Sequence, residues 1–279
     1  MDRPAKISVL IPVYNVAPYV GACLQSICSQ TLKDLEIICA DDASTDESAS
    51  IVKEWMAKDS RIRLVSAPVN GGISRTRNLL MKHAGGEFLM MVDSDDWLEV
   101  DALERMYETA CACHADRLVC GYRYYYEDEP DREDFFLPGS GTDADKSWIF
   151  CTPDTIGKVH HGTNGLMIRR SVVEACGRRF PGGLVCEDMY FHYVTYPFCK
   201  RASIVREPLY VYRKRAGSIT EEFTSGYSLK SLDYVKVALL ILEAWKEDGL
   251  IPNRRTLPGQ CAACSVKRAC IARRRMTAA

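Results

Sequence analysis

Three aspartates end an apolar run in "FLMMVDSDDWLEV", residues 88–100. Asp93, Asp95 and Asp96 are so close along the chain that their carboxylates repel one another unless something compensates the charge. If the chain stays extended, the Asp-x-Asp spacing sends Asp93 and Asp95 to the same side of the strand. Carboxylates in this arrangement suit a hard divalent cation, and an ion of the magnesium type takes one or two of them while substrate phosphates fill other positions. The alternative for Asp96 is a cap on the helix that starts near Val100.

Two further polar clusters follow apolar runs in the same way. They are "PVYN", which ends at Asn15, and "ADDAST", which contains Asp41 and Asp42. In an open parallel sheet, ligands bind beyond the carboxyl ends of the strands, so the three clusters are expected to converge on one edge. No G-x-G-x-x-G follows the first run, and no G-x-x-x-x-G-K-[ST] occurs in the chain. The site is therefore predicted to hold its ligand by something other than a glycine-cradled phosphate.

Apolar runs that alternate with helical patterns predict the sheet that positions these clusters. The five predicted strands are "KISVLIPVYN", "LEIICADD", "RIRLVSA", "EFLMMVD" and "DRLVCGYRYYYE". Continuous apolar strands alternating with helices predict an α/β fold, with a mostly parallel, Rossmann-like sheet covered by helices on both faces. After Glu127 an acidic segment rich in Pro and Gly breaks the rhythm. A mixed region follows, with a helix after "CEDMYFHYV" and a strand at "ASIVREPLYVYR".

Helical spacing and capping signals predict where the helices lie. Apolar residues recur at helical spacing in "APYVGACLQSICSQT", and "ISRTRNLLMKHA" predicts a second such helix. Ser44 and Glu47 form an S-x-x-E capping box, which predicts a helix from there to about Ala57. Another helix is expected over about residues 100–114, and a last one over about residues 228–248. The apolar face of the last helix is predicted to carry Leu232, Val235, Leu239 and Leu242.

Composition excludes several classes of protein. The 36 basic residues nearly balance the 37 acidic ones, so no global field favours a nucleic-acid partner. The 13 cysteines are odd in number and irregularly spaced, which favours buried free thiols in a reducing cytosol over a disulfide framework. "CAAC" at Cys261 and Cys264, followed by Cys270, lacks the further ligands of a zinc site. The apolar run at the start is too short for a signal peptide, and no run approaches a membrane span. These features predict a cytoplasmic protein, or one that touches a membrane from its inner face.

Six motifs in order carry a family resemblance. They are "ISVLIPVYN", "ADDASTDES", "NGGISRTRN", "MVDSDDWL", "CEDMYF" and "PLYVYRKRAGSIT", and they cover residues 6 to about 220. In this order and spacing they resemble glycosyltransferase family 2, whose nucleotide-sugar-binding domain has the GT-A fold. The resemblance implies a donor-binding half over residues 1–127, an acceptor-binding half with the catalytic base over residues 128–225, and a helical, basic extension over residues 226–279.

The resemblance implies which residues bind a nucleotide diphosphate sugar. Asp41 is the first choice for the contact with the base, most often uracil, and Asp42 is the alternative. Asp93 would hold the ribose or a metal-bound water. Arg77 would help to close the site, although an arginine on a helix surface is commonly only solvated. The residues expected to bind the donor are Pro12, Tyr14, Asn15, Asp41, Asp42, Asn70, Gly72, Arg75, Asn78, Asp93, Ser94 and Arg213.

The same resemblance implies the chemistry of an inverting transfer. Asp95 would be the direct ligand of Mn²⁺ or Mg²⁺, which would neutralise the departing diphosphate. Asp188, the second acid of "CEDMYF", would be the catalytic base, with Glu187 beside it; the alternative is that both acids only complement a helix dipole. Arg215 and Ser218 are expected near the diphosphate together with Arg213. One departure concerns the acceptor side, where family members often read "NKLYRR" and this chain has "NGLMIRR" from Asn164 onward.

The acceptor and the sugar stay open at this point. The leading hypothesis is transfer to a hydroxyl of a glycan or lipid-linked acceptor in surface polysaccharide biosynthesis, with a nucleotidyltransferase or a non-catalytic nucleotide-sugar-binding subunit as alternatives. His160 and His161 are candidates for acceptor contacts or for plain loop residues. The basic tail, with Lys267 and residues 273–275, is a candidate for peripheral contact with anionic lipid, and a solvated terminus is the alternative. The sequence leaves the nucleotide, the linkage and the oligomeric state unassigned.

Overall fold

Four parallel strands of apolar sequence form the first half of the central sheet. They are β1 (Ile7–Val13), β2 (Leu35–Asp41), β3 (Ile62–Ser66) and β4 (Phe88–Met91). Their order is β3-β2-β1-β4, with every neighbouring pair parallel. The prediction of strands one to four and of a parallel sheet is confirmed here. In this computed structural model the described residues are 4–138, 148–152, 155–158, 162–215 and 231–251.

Helices cover both faces of these strands. The helices are α1 (Ala17–Cys28), α2 (Ser48–Lys58), α3 (Ile73–His83) and α4 (Ala102–Ala112). Alternate residues of β1 enter different cores, because successive side chains of a strand point to opposite faces. Val9 packs into a cluster with α1 and α4, whereas Leu10 packs with α3 on the other face. This burial on both faces explains why the strands are continuous apolar runs.

The second half of the sheet is mixed rather than parallel. Its strands are β5 (Trp97–Leu98), β6 (Arg117–Tyr126), β7 (Asp134–Phe136), β8 (Trp148–Phe150), β9 (Leu166–Arg169) and β10 (Arg201–Lys214). The strand β9 lies antiparallel between β4 and β6, and β10 pairs in parallel with β6. The described strands therefore form one sheet in the order β3-β2-β1-β4-β9-β6-β10-β5, with β7 on β6 and β8 on β10. This sheet runs across residue 127, and the division of the chain there stays a prediction.

Three more helices complete the described structure. They are α5 (Arg170–Cys176), α6 (Glu187–Thr195) and α7 (Ser231–Glu247). The helix α6 begins at Glu187, inside "CEDMYFHYV" rather than after it, so Glu187 and Asp188 both lie in its first turn. None of the helices among the described residues has the length and apolar character needed to cross a membrane.

The predicted apolar face of the last helix is wrong. Leu232, Val235 and Leu239 of α7 are each more than half exposed. The face that packs on the protein instead includes Ile241 and Trp245, and the indole Nε1 donates a hydrogen bond to Tyr193 O at 2.9 Å. The helix carries two apolar stripes, and spacing alone does not tell which of them a neighbouring helix covers.

The predicted capping box is also wrong. The helix α2 begins at Ser48 and has no side-chain cap of the predicted kind. Ser44 Oγ instead accepts a hydrogen bond from Asn15 N at 3.1 Å, across to the loop after β1. Asp46 contacts the start of the helix instead. One of its carboxylate oxygens accepts a hydrogen bond from Ser48 N and the other accepts one from Ala17 N, both at 3.0 Å. The residues of the motif thus tie two loops together.

Several predictions fall outside the described residues. They concern Ser218, the histidines His160 and His161, the cysteine motif at Cys261 and Cys264, and the basic tail.

A glycine of β6 marks the tightest contact between β6 and β10. The register of β10 shifts between Val205 and Pro208, which brings its backbone against Gly121. A Cβ at Gly121 would lie 2.7 Å from Arg206 O and 2.9 Å from Glu207 O. Gly121→Ala is therefore expected to lower the free energy of unfolding by about 1–3 kcal/mol, because backbone must shift to make room. Urea denaturation measures this change.

Gly182→Ala is the matched control, since no atom lies within 4 Å of a Cβ at that glycine. An equal loss of stability in both variants would show that the close approach of β10 is not what restricts Gly121.

Candidate active site

The carboxyl ends of β1, β2 and β4 meet at one edge of the sheet, as the strand-end rule predicts. Pro12 is buried inside β1, whereas Tyr14 and Asn15 follow it and are exposed. Asn15 adopts a positive φ of 49°. Its side-chain oxygen accepts a hydrogen bond from Thr45 N at 2.9 Å. Asn15 therefore fixes the loop after β1 to the loop after β2, and Tyr14 is left exposed above the edge.

The two aspartates that end β2 have different surroundings. Both are buried. Asp42 accepts hydrogen bonds from Gly71 N at 2.9 Å and from Gly72 N at 2.8 Å, so its carboxylate is used to hold the loop before α3. Asp41 accepts one hydrogen bond, from Ser44 N at 3.2 Å, and retains acceptor capacity. This difference supports the prediction that Asp41, rather than Asp42, contacts a ligand.

The segment "NGGISRTRN" places its polar residues in two directions. Gly72 precedes α3 with a φ of 78°, a conformation that side chains rarely adopt. Asn70 and Arg75 are exposed at this turn. Asn78 instead points to the loop before α6, where its side-chain amide exchanges two hydrogen bonds of 2.9 Å with the backbone of Phe180. Asn78 therefore positions that loop in this structure.

Arg77 is the residue that sequence reasoning undervalued most. It is buried, not solvated, at 5% exposure. Its Nη2 donates to Asp93 Oδ1 at 3.0 Å, and its Nη1 donates to Glu187 Oε1 at 2.5 Å. One guanidinium thus joins an acid after β4 to an acid at the start of α6. The proximity of the two acids offsets its burial and holds the pKa of Arg77 above its usual range.

A hydrogen-bond network from Asn164 and β10 holds Asp93 and Asp96 in place. Asn164 Nδ2 lies 3.3 Å from one carboxylate oxygen of Asp93, from one of Asp96 and from Tyr210 Oη. Tyr210 donates its hydroxyl to Asp96 at 2.6 Å, and Arg213 N donates to the other oxygen of Asp96 at 2.8 Å. Burial raises the pKa of Asp96 well above its usual range. The suggestion that Asp96 caps the next helix is wrong, because α4 begins at Ala102 and Asp96 binds β10 instead.

Two arginines from β10 and its end approach Asp95. Arg215 Nε donates to Asp95 Oδ2 at 2.9 Å, and Arg213 Nε donates to the backbone carbonyl of Asp95 at 2.8 Å. The guanidinium of Arg213 also stacks over Trp97 with its carbon 4.8 Å from the ring centre. Burial, with the Asp93 carboxylate as the second cause, raises the pKa of Asp95. Ser94 lies buried between these acids.

Asp95 and Asp93 fit a divalent cation that a bound diphosphate helps to hold. Among the described residues, no group of three acids, histidines or cysteines is arranged to hold a metal by itself. Asp95 has one carboxylate oxygen outside the contact with Arg215. The negative charge of Asp93 raises the pKa of Asp95, because the two carboxylates repel each other. A bound cation would relieve this repulsion. One or two carboxylates with substrate phosphates are a usual ligand set for Mg²⁺.

Asp188 lies next to this group in the first turn of α6. Its Oδ1 accepts a hydrogen bond from Met189 N at 2.8 Å, and its charge acts on Arg77. Glu187, beside it, is bound by Arg77, and burial raises the pKa of Glu187. The helix N-terminus also favours the two negative charges. The structure thus brings Asp188 to the same group of side chains as Asp93.

The departure near Asn164 has a local cause. Gly165 adopts a φ of 68°, and a Cβ there would lie 2.9 Å from Cys120 Sγ. A lysine at this position would strain the backbone and would require the Cys120 side chain to shift. Asn164 and Tyr210 were not among the predicted site residues, and the predicted role of Arg77 did not include its ion pairs with Asp93 and Glu187. Their signal in the sequence is weak, because an asparagine, a strand tyrosine and a helix arginine are each ordinary residues by themselves.

Comparison with known proteins identifies the family. Residues 8–174 match the profile of "Glycosyl transferase family 2". The putative glycosyltransferase EpsH of Bacillus subtilis (strain 168) is 34% identical over 226 residues, which are 80% of this chain and 64% of EpsH. The glycosyltransferase GlyA of Streptococcus pneumoniae serotype 4 (strain ATCC BAA-334 / TIGR4) is 30% identical over 247 residues, which are 85% of this chain and 34% of GlyA. The chain spans less than two thirds of the length of these relatives.

Solved structures share the fold. Residues 1–349 of S. aureus TarS, in complex with UDP-GlcNAc, match 86% of this chain and 66% of theirs, with a TM-score of 0.69 and 24% identity. The mannosyltransferase PcManGT of Pyrobaculum calidifontis, in complex with GDP-Man and Mn²⁺, matches 97% of this chain and 81% of its own, with a TM-score of 0.59 and 16% identity. The predicted GT-A fold is confirmed, and this chain belongs to glycosyl transferase family 2.

Proposed function

We propose that this protein is an inverting, metal-dependent glycosyltransferase. It transfers a sugar from a nucleotide diphosphate donor to a hydroxyl of a glycan or lipid-linked acceptor, in the synthesis of a surface polysaccharide. The observation that carries the proposal is the double ion pair of Arg77, which joins Asp93 to Glu187 and so brings Asp188 beside the strand ends. The residues proposed to bind the donor and the proposed catalytic base then lie within one group of side chains.

The donor lies across the carboxyl ends of β1, β2 and β4. Asp41 accepts a hydrogen bond from the nucleotide base. Its carboxylate has lone pairs available for this bond, whereas the Asp42 carboxylate is already bound by Gly71 N and Gly72 N. A uridine nucleotide is the first choice, in agreement with the UDP-GlcNAc in the TarS complex. The GDP-Man in the PcManGT complex is the reason that guanosine is included in the tests.

The diphosphate lies against Asp95 and the arginines at the end of β10. Arg215 and Arg213 both reach Asp95 and supply positive charge there. When bound, Mn²⁺ or Mg²⁺ neutralises the charge that develops on the phosphate oxygens as the nucleoside diphosphate leaves. Asp95 is the residue that would hold this ion directly, with Asp93 on the ribose or on a water of the ion.

Asp188 acts as the general base on the acceptor. Its carboxylate takes the proton of the acceptor hydroxyl while the oxygen attacks the anomeric carbon. The bond between that carbon and the diphosphate oxygen breaks on the opposite face, so the configuration inverts. Arg77 holds Glu187 and so fixes the first turn of α6, which carries the base. The protein is proposed to work in the cytoplasm, with peripheral membrane contact when the acceptor is lipid-linked.

Separate substitutions distinguish donor binding from transfer. Asp188→Asn is expected to keep donor binding and to lower transfer by about 10²–10⁴-fold, because only the proton transfer is removed. Asp95→Asn is expected to weaken binding of the donor with Mn²⁺.

Calorimetry with UDP-sugars and GDP-sugars in Mn²⁺ measures donor binding by each variant, and product analysis measures transfer. Loss of donor binding in Asp188→Asn would show that the base is misassigned, and no binding of any nucleotide sugar by the native protein would refute the function.

The two aspartates after β2 are expected to differ. Asp41→Asn should weaken nucleotide binding while stability changes little, because Ser44 N is the only donor to the Asp41 carboxylate among the described residues. Asp42→Asn should lower thermal stability as well, because the loop at Gly71 and Gly72 loses its carboxylate acceptor. Thermal denaturation with and without nucleotide measures both effects. The opposite pattern would make Asp42 the ligand contact.

Arg77 is expected to be needed for stability as well as for transfer. Arg77→Met leaves Asp93 and Glu187 without their shared cation and should cost about 3–5 kcal/mol in the free energy of unfolding. The exposed Arg75 offers the matched control, for which Arg75→Met should change stability by no more than about 0.5 kcal/mol. Urea denaturation measures these differences.

A double variant tests whether the loss comes from the unpaired acid. R77M/E187Q is expected to be more stable than R77M, because one of the two partly buried carboxylates is then neutral. If the two substitutions instead add, the ion pair between Arg77 and Glu187 contributes nothing beyond packing.

A further inference from the structure

A second buried arginine has, within the described part of the chain, no partner of opposite charge at hydrogen-bonding distance. Arg117 begins β6 and is fully buried. Its Nη1 lies 3.5 Å from Thr195 Oγ1, at the outer limit of a hydrogen bond, and its Nε and Nη2 have no hydrogen-bond partner among the described residues. A buried cation without a counter-charge costs several kcal/mol. Such a residue points to an anion close by.

Two thiols lie beside this guanidinium. Cys151 follows β8 and Cys199 precedes β10, and Cys151 N donates to Lys200 O at 3.0 Å, which holds the two segments together. The Cys199 thiol donates a hydrogen bond to Thr195 O at 3.6 Å, and Cys151 packs against the same apolar cluster that contains Cys199. Cys151 is partly exposed, whereas Cys199 is buried. Cys151 is therefore the more accessible residue of the two.

The surroundings of Cys151 favour its anionic form. The neighbouring Cys199 thiol is the largest cause that lowers the pKa of Cys151, followed by the Tyr196 hydroxyl and by the charge of Arg117. Asp116 is the opposing charge, but its carboxylate is engaged by Lys200 N at 2.7 Å and by Arg169 at 3.5 Å. Burial and the neighbouring thiol hold the pKa of Cys199 well above its usual range. Of the two thiols, Cys151 is therefore the one that loses its proton more readily.

We propose that Cys151 and Cys199 form a peroxide-sensitive dithiol, in which the buried guanidinium of Arg117 is the counter-charge of the Cys151 thiolate. The thiolate attacks one oxygen of a hydroperoxide, the O–O bond breaks, and Cys151 becomes a sulfenic acid while the remaining oxygen leaves with a proton as an alcohol or water. The Cys199 sulfur then attacks Cys151, water leaves, and a disulfide forms. The peroxide is the oxidant, and the two thiols are oxidised.

This site is separate from the proposed donor site. Cys199 precedes the first residue of β10, whereas Arg213, which contacts Asp95, lies at the other end of the same strand. The oxidised pair would link the segment after β8 to the turn that follows α6. The inference does not depend on the proposed glycosyl transfer, so either can fail without the other.

The charge of the thiolate is tested by alkylation. The rate of iodoacetamide labelling of Cys151, followed by peptide mass spectrometry across pH, should show a midpoint below the value of about 8.5 for a free cysteine. Arg117→Met, which replaces the buried charge with an apolar side chain, should slow labelling at pH 7 by about tenfold. The exposed Cys111 in the same digest is the internal control for both proteins.

Tyr196→Phe gives a second variant if Arg117→Met does not fold. It removes a hydroxyl that lowers the pKa of Cys151 and should therefore also raise the midpoint. A midpoint at or above the free value in the native protein, or one that neither variant moves, overturns the proposal.

The disulfide is tested by oxidation of the full chain. Stoichiometric hydrogen peroxide followed by non-reducing peptide mapping should give the Cys151–Cys199 linked peptide as the main product. Cys199→Ser should give no linked peptide and instead a sulfenic acid at Cys151 that dimedone traps. Oxidation that occurs mainly at Cys111, or that links Cys151 to other cysteines, would overturn the proposal.

Discussion

The ion pairs of Arg77 are the interaction on which the candidate site depends. A guanidinium at 5% exposure contacts Asp93 and Glu187, which come from β4 and from α6. Removing these charges from water is expensive, and only a planar cation with several donors can satisfy two carboxylates at once. Lysine has one charged nitrogen on a flexible stem and would not span the two acids in the same way. The position of α6 against the sheet is therefore tied to the aspartates after β4.

The mixed half of the sheet explains how the aspartates are held. The strand β9 enters antiparallel beside β4 and places Asn164, just before its start, under Asp93 and Asp96. Tyr210 of β10 contacts both residues as well, through Asp93 N and the Asp96 carboxylate. The acids therefore rest on hydrogen bonds from two strands that run in opposite directions.

The sequence predicted the parts of the fold that follow from local pattern. Continuous apolar runs placed β1 to β4, and the strand-end rule placed Asp41, Asp93 and Asp95 at one edge. The antiparallel entry of β9 was not predicted, because its four residues carry no periodic signal. Spacing also failed for α7, which has two apolar stripes, and for Ser44, whose partner is Asn15 on another loop. Each failure concerns a long-range contact that decides between two locally acceptable choices.

The same limit applies to charge in the site. Arg77 and Arg75 lie two residues apart on α3, and nothing local distinguishes them, yet one is buried and the other exposed. The rotation of the helix between the two positions determines which arginine is buried, and it turns Arg77 toward Glu187 on α6. Acids still outnumber arginines around Asp95, and burial raises the pKa of Asp95 although Arg215 contacts it. The arginines thus hold the acids in place without cancelling their charge. The repulsion between Asp93 and Asp95 supports the proposal that this edge binds a divalent cation together with a diphosphate.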